Sequence, residues 1–249
     1  DSHDNSSVIV SLQDSDFVAI VSSGNLDIEE QVNIDLMDMN MGMNEAPHDI
    51  AVDNTNGYWF TTAMMGGDVG MYSSQTNELI SSFTIGHMPA LMTLDEVNQL
   101  IYISRGMPMN GMQTNIVYEL SYANNSLEEV EQWTVEFDYA HGINFDNISG
   151  NVYVVSKTND YIAKINPNEV QIPFTNPMIV SMDTTFNENH TIAVNRLRPI
   201  EITSKYPYMF ITCSAGEWSA DEAYEEILGQ VQMWHMEDMN LLASYEDGY

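Results

Sequence analysis

The stretch APHDIAVDNTNGYWFTT, Ala46 to Thr62, returns later in the chain as AHGINFDNISGNVYVVS, Ala140 to Ser156. With Pro47 set on Ala140, His48 falls on His141, Ile50 on Ile143, Asp53 on Asp146, Asn54 on Asn147 and Gly57 on Gly150, all at one offset of 93 residues. A constant offset without gaps means a repeated structural unit, so every fold built only once is disfavoured at the outset.

Between the copies, helical periodicity is almost absent, and short runs of Val, Ile, Tyr, Phe and Thr recur between clusters of Gly, Asn and Asp. That is an all-β pattern. SVIVSLQ, DFVAIVSSG and IEEQVNIDL come first; HDIAVD, YWFTTAM, DVGMYSSQ and ELISSFTIG follow Pro47. The order repeats as MPALMTLD, QLIYISRG, NIVYELSYA and VEQWTVEF, then as HGINFD, NVYVVSK, DYIAKINP and MIVSMD, then as RPIEITS, YMFITCSA, GQVQMWHME and LLASYEDG. Units starting at Pro47, Pro89, Ala140 and Pro199 are spaced by 42, 51 and 59 residues. Four short strands in a unit of that length is the signature of a β-propeller blade, because one such sheet cannot bury both faces alone and must stack on its neighbours. A β-sandwich leaves the repeat unexplained. The expectation is one β-propeller domain over 1–249, with blade-like units at about 6–46, 47–86, 87–137, 138–198 and 199–249. The first unit lacks an opening strand and the chain stops at Tyr249, where another is due, so the natural polypeptide is expected to continue.

PHDIAVDNTNGYWFTT and AHGINFDNISGNVYVVS resemble the Pro-His-Gly-Ile-Ala pattern, closed by Gly-x-x-Tyr-Val-x-Asn, of YVTN-type and lactonase-like β-propeller repeats. DFVAIVSSGNLDIEEQVNI is similar to the blade ending of that family. Ala90 and Ile200 depart from the motif's His, Asp49 from its Gly and Ser156 from its closing Asn. The resemblance implies propeller blades, commonly seven to a ring, and a superfamily that holds lactonases, copper enzymes and binding scaffolds; it does not select a chemistry.

Composition narrows the partners. Six Lys plus Arg stand against 37 Asp plus Glu, and a net charge of -31 repels phosphate backbones and anionic lipid, so nucleic acid is excluded as a partner class. No apolar run is long enough to cross a bilayer, so membrane insertion is not expected. The polar start DSHDNSS suits a mature end left by signal removal and hence a secreted, cell-surface or periplasmic protein. Asn5, Asn124, Asn147 and Asn189 each open an Asn-x-Ser/Thr triplet, a pattern that an Asn-rich chain also produces by chance. The single Cys213 excludes an internal disulfide and, within YMFITCSA, reads as a small buried strand residue.

In a propeller, the loops joining blade to blade and those between a blade's second and third strands open at one mouth. The unusual residues fall in these loops. Met37, Met39, Met41 and Met43 precede His48; His87 and Met88 occupy the next junction, with His141 and His190 in the two after it. Met64 and Met65, then Met107, Met109 and Met112, lie between second and third strands. Thioether and imidazole together select copper, so a copper site is one expectation; methionine filling irregular gaps is the other. Asp221, Glu222, Glu225 and Glu226 suit Ca²⁺ or a solvated acidic face. The sequence thus supports a binding or scaffold module for a protein or small-molecule ligand, with association to further blades or chains. The alternative is a copper carrier or redox protein using His48, His87 and His141; lactone hydrolysis rests on the family resemblance alone. No catalytic residues are assigned.

Overall fold

A computed structural model describes residues 7–34, 36, 44–86, 88–106, 115–173, 175–182, 197–214 and 229–247. The strand candidates form as expected. The first sheet contains β1 (Ser7–Leu12), β2 (Phe17–Ser22) and β3 (Ile28–Asn33). The second contains β4 (Pro47–Asp53), β5 (Tyr58–Ala63), β6 (Asp68–Ser73) and β7 (Leu79–Thr84), and the third β8 (Pro89–Asp95), β9 (Leu100–Arg105), β10 (Ile116–Ser121) and β11 (Glu128–Thr134). The fourth holds β12 (Ala140–Asp146), β13 (Asn151–Ser156), β14 (Tyr161–Ile165) and β15 (Met178–Ser181). The fifth holds β16 (Pro199–Lys205), β17 (Tyr208–Cys213), β18 (Gly229–His235) and β19 (Asn240–Asp247). Neighbours along each sheet are consecutive in sequence. The chain is all-β, of the β-propeller class, with about five blades.

Hydrogen bonding identifies the strands of the short first sheet. Ile85 N–H donates to Gly67 O, Val135 to Asn115 and Met182 to Asp160, each tying the end of a fourth strand to the residues that enter a third. Ile34 N–H donates to Asp16 O in the same way, so β1, β2 and β3 are second, third and fourth strands. Among the described residues that blade has no opening strand, as expected from the sequence.

The chain divides into two compact units, Asp1–Met112 with Tyr118–Gln132, and Gln113–Val117 with Trp133–Tyr249. In the first, Val18, Ile20, Val32 and Ile34 pack on Trp59, Ala63 and Tyr72 of the next blade. Trp59 and Tyr72 are cross-strand partners whose rings stack at 4.1 Å and 8°. In the second, Tyr153, Val155 and Ile162 meet Ile202, Met209, Ile211 and Trp234. Middle strands are buried on both faces, as in β13, where every residue is buried; this explains why VYVV shows no alternation. Cys213 belongs to this core at 5% exposure, and burial pushes its thiol up to about 12, which fits packing and not nucleophilic attack.

The repeat also has a turn signature. Asp53 Oδ1 accepts from Thr55 N and Asn56 N, Asp146 Oδ1 from Ile148 N and Ser149 N, and Asp95 Oδ1 from Asn98 N. Four residues after each of these aspartates stands a left-handed residue: Gly57 at φ 81°, Gly150 at φ 67° and Gln99 at φ 53°.

Candidate functional site

Each four-stranded blade begins the same way. Ala46, Met88, Tyr139 and Arg198, one residue before Pro47, Pro89, Ala140 and Pro199, all have positive φ, and their carbonyls accept from Met64, Gly106, Lys157 and Ser214. None is a glycine. A β-bulge follows each, between Pro47 and Ile50, Pro89 and Met92, Ala140 and Ile143, and Pro199 and Glu201. The bulge turns a carbonyl toward the preceding blade, where a side chain takes it up. Ser11 Oγ donates to His48 O at 3.2 Å and Thr62 Oγ1 to Ala90 O at 2.9 Å. Ser11 and Thr62 are the penultimate residues of β1 and β5; the equivalent in β13 is Val155, which has no hydroxyl. There the repeat histidine acts instead, His141 Nδ1 lying 3.0 Å from Ile200 O. A carbonyl only accepts, so Nδ1 carries the proton.

Position 49 shows what a side chain does where the aligned position in the repeat is Gly142. Gly142 approaches the next blade so closely that an added Cβ would stand 2.5 Å from Ile200 O. At the aligned position, Asp49 instead reaches across, its Oδ2 accepting from Met92 N in β8 at 2.7 Å and its Oδ1 from Ile50 N. Burial outweighs both hydrogen bonds and pushes the carboxyl up from 3.8 to about 6. A folded-state pKa above the unfolded one means that Asp49 contributes stability below pH 3.8, which is lost as pH rises through about 6. The stability advantage of wild type over Asp49→Asn, from urea unfolding, is therefore larger at about pH 4 than at about pH 7. An advantage that grows with pH would refute the assignment.

Of the residues proposed as copper ligands, Met37, Met39, Met41, Met43, His87, Met107, Met109 and Met112 lie outside the described residues, as do His190, Asp221, Glu222, Glu225 and Glu226. His48 is half-buried in the first unit and His141 is buried in the second. Met88 is buried at 6% exposure. Met71, Met92, Met182, Met209, Met236 and Met239 are buried with it, so many of the methionines serve the core. Among the described residues no group of three or more His, Cys, Asp or Glu side chains could share one ion.

The structure draws attention to a place that the His and Met pattern did not mark. In the second unit, the segment entering β12 and the turn from β13 to β14 are bonded together. Asp138 N–H donates to Asn159 Oδ1 at 3.2 Å, Ser156 Oγ to Asp138 O at 2.6 Å and Lys157 N–H to Tyr139 O at 2.9 Å. These are the two loop classes expected at one mouth, and within this blade they do share one end. Beside them opens a depression of about 370 Å³ lined by Asn115, Glu136, Phe137, Asp138, Asn159 and Tyr161. The Phe137 and Tyr161 rings stack with centroids 6.3 Å apart and an interplanar angle of 11°. Tyr161 is 37% exposed while Phe137 is 5% exposed, so the tyrosine forms the accessible aromatic wall. Because a backbone N–H faces Asn159 Oδ1, the amide offers its Nδ2 donors. The signal was present in VEFDYA, where Glu136 and Asp138 flank Phe137 at a blade junction.

No protein-family model matches the chain, and no curated protein matches it in sequence. Solved structures match its fold. Hydrazine synthase of Kuenenia stuttgartiensis superposes with a TM-score of 0.66 at 11% identity, over 95% of this chain and 62% of that one. A functionally unknown protein from Desulfotomaculum acetoxidans superposes with a TM-score of 0.63 at 15% identity, over 99% of this chain and 68% of the other. The chain therefore spans less than two thirds of the hydrazine synthase chain. At such identities the likeness concerns fold alone. No helix among the described residues is long and apolar enough to cross a membrane.

Proposed function

We propose that this chain is an extracytoplasmic binding module that takes its ligand at the blade-entry end of its sheets, the mouth of a propeller. One observation carries the reading: the depression of about 370 Å³ beside the entry to β12, whose volume lies in the range of small-ligand sites. Its aromatic wall, Tyr161, opens β14, and Glu136, Asp138 and Asn159 stand on the loops that enter β12 and join β13 to β14. The far end of the same blade holds the tight turn after Asp146, with Ile148 at its exposed tip, and the connection from β14 to β15, on which Val170 is exposed.

The contrast between the two ends supplies the test. Peptides selected on the immobilised protein from a random display library are expected to lose about tenfold or more in affinity for Tyr161→Ala, a loss of about 1.4 kcal/mol, and to keep their affinity for Ile148→Ser. Binders that respond to Ile148→Ser and ignore Tyr161→Ala would move the site to the other end. Fractionation of native cells checks the extracytoplasmic location, which a cytosolic pool of the mature protein would contradict.

A further inference from the structure

We infer that the depression beside β12 recognises a guanidinium cation, the side chain of an arginine on a partner polypeptide. This rests on the binding reading above and specifies its ligand chemistry. Both charged groups in the lining, Glu136 and Asp138, are carboxylates, and both are exposed with side chains that form no hydrogen bond or ion pair among the described residues. Lys and Arg supply six charges against 37 acidic ones, so the surrounding field draws cations in and repels anions. Two carboxylates beside an accessible tyrosine ring suit a planar guanidinium, which bonds carboxylates through its fork of donors and lies flat on an aromatic face. An ammonium ion satisfies the charge but not the plane. Asn159 Nδ2 and the Asn115 side-chain amide, neither of them bonded among the described residues, add donors for the carbonyls that flank an arginine in a peptide.

A neutral hydroxylated ring such as a sugar also stacks on tyrosine and bonds carboxylates and amides. It leaves two negative charges uncompensated, however, and its binding does not depend on salt. The choice between the two chemistries is therefore measurable.

The probe is Nα-acetyl-arginine methylamide, titrated into the intact chain by calorimetry or by chemical-shift perturbation at low salt. Saturable binding is expected with a Kd on the order of 1 mM, as suits a single exposed residue, weakening several-fold at high salt. Glu136→Gln with Asp138→Asn is expected to weaken it about tenfold or more, and Tyr161→Leu about threefold. All three substitutions are at exposed positions, and unchanged melting curves confirm that the variants fold. The acetyl-citrulline analogue, which keeps the shape and loses the charge, is expected not to bind.

Equal binding of the citrulline analogue or of methyl glucoside would overturn the proposal, as would arginine binding that the carboxylate variants leave intact. No binding of the arginine probe while selected peptides still respond to Tyr161→Ala would remove the guanidinium assignment and leave the site. Loss of both responses would remove the site as well.

Discussion

Gly142→Ala is expected to lower the unfolding free energy by roughly 2–4 kcal/mol, a large effect for the addition of one methyl group. The added Cβ would meet Ile200 O at 2.5 Å, Val155 Cγ2 at 2.8 Å and Glu201 Cα at 3.1 Å. Two of these atoms are backbone of the next blade and cannot turn aside as a side chain does. Relief requires β12 and β16 to move apart, which opens the core where Tyr153 and Val155 pack on Ile202 and Ile211. Gly150→Ala is the comparison. A Cβ there meets nothing within 4 Å, but its φ of +67° is left-handed, so the expected cost is about 1 kcal/mol. Urea denaturation of both variants measures the order, and Gly150→Ala proving the more harmful would show that the blades do not meet as closely as described.

Asp53→Ala is expected to cost roughly 3–5 kcal/mol. The carboxylate is fully buried and holds four donors: Thr55 N at 2.9 Å and Asn56 N at 2.8 Å on one oxygen, Asn56 Nδ2 and Tyr122 OH at 2.7 Å on the other. The turn amides lie near solvent and recover water. Tyr122 does not, since it is itself fully buried, with burial and the bond to Asp53 holding its phenol well above the usual range and so protonated. Tyr122→Phe removes the stranded donor, so the double variant Asp53→Ala/Tyr122→Phe should be less destabilised than the two single losses added together. Additive losses in a thermal or urea cycle would show that the two side chains do not act as a pair.

How far this could be read from sequence depends on the kind of signal. Strands were legible because short β-branched and aromatic runs stop at turns, and Asp53 to Gly57 matching Asp146 to Gly150 marked the repeat. Those turns prove to be carboxylate-capped, which is why the residues coincide. The blade starts at Pro47, Pro89, Ala140 and Pro199 were legible, but the backbone conformation that leads into them was not. Their left-handed positions are Ala46, Met88, Tyr139 and Arg198, with no glycine to announce them, and the bulges after them leave no compositional trace. His141 suits a metal because imidazole is a common ligand; the contact of its Nδ1 with the carbonyl of Ile200 left no mark in the sequence. The depression drew no notice because its residues are of ordinary type. Only the fold sets Phe137 and Asp138 beside Asn159 and Tyr161.

The bulge carbonyls carry an implication for how such a chain changes over evolutionary time. His48 O is served by Ser11, Ala90 O by Thr62 and Ile200 O by His141, always from the blade before. A blade is therefore not a self-contained cassette. Recombination that places the fifth sheet behind a donor carrying neither hydroxyl nor imidazole strands a half-buried acceptor, so duplications that keep neighbouring pairs together are inherited more readily than shuffles that part them.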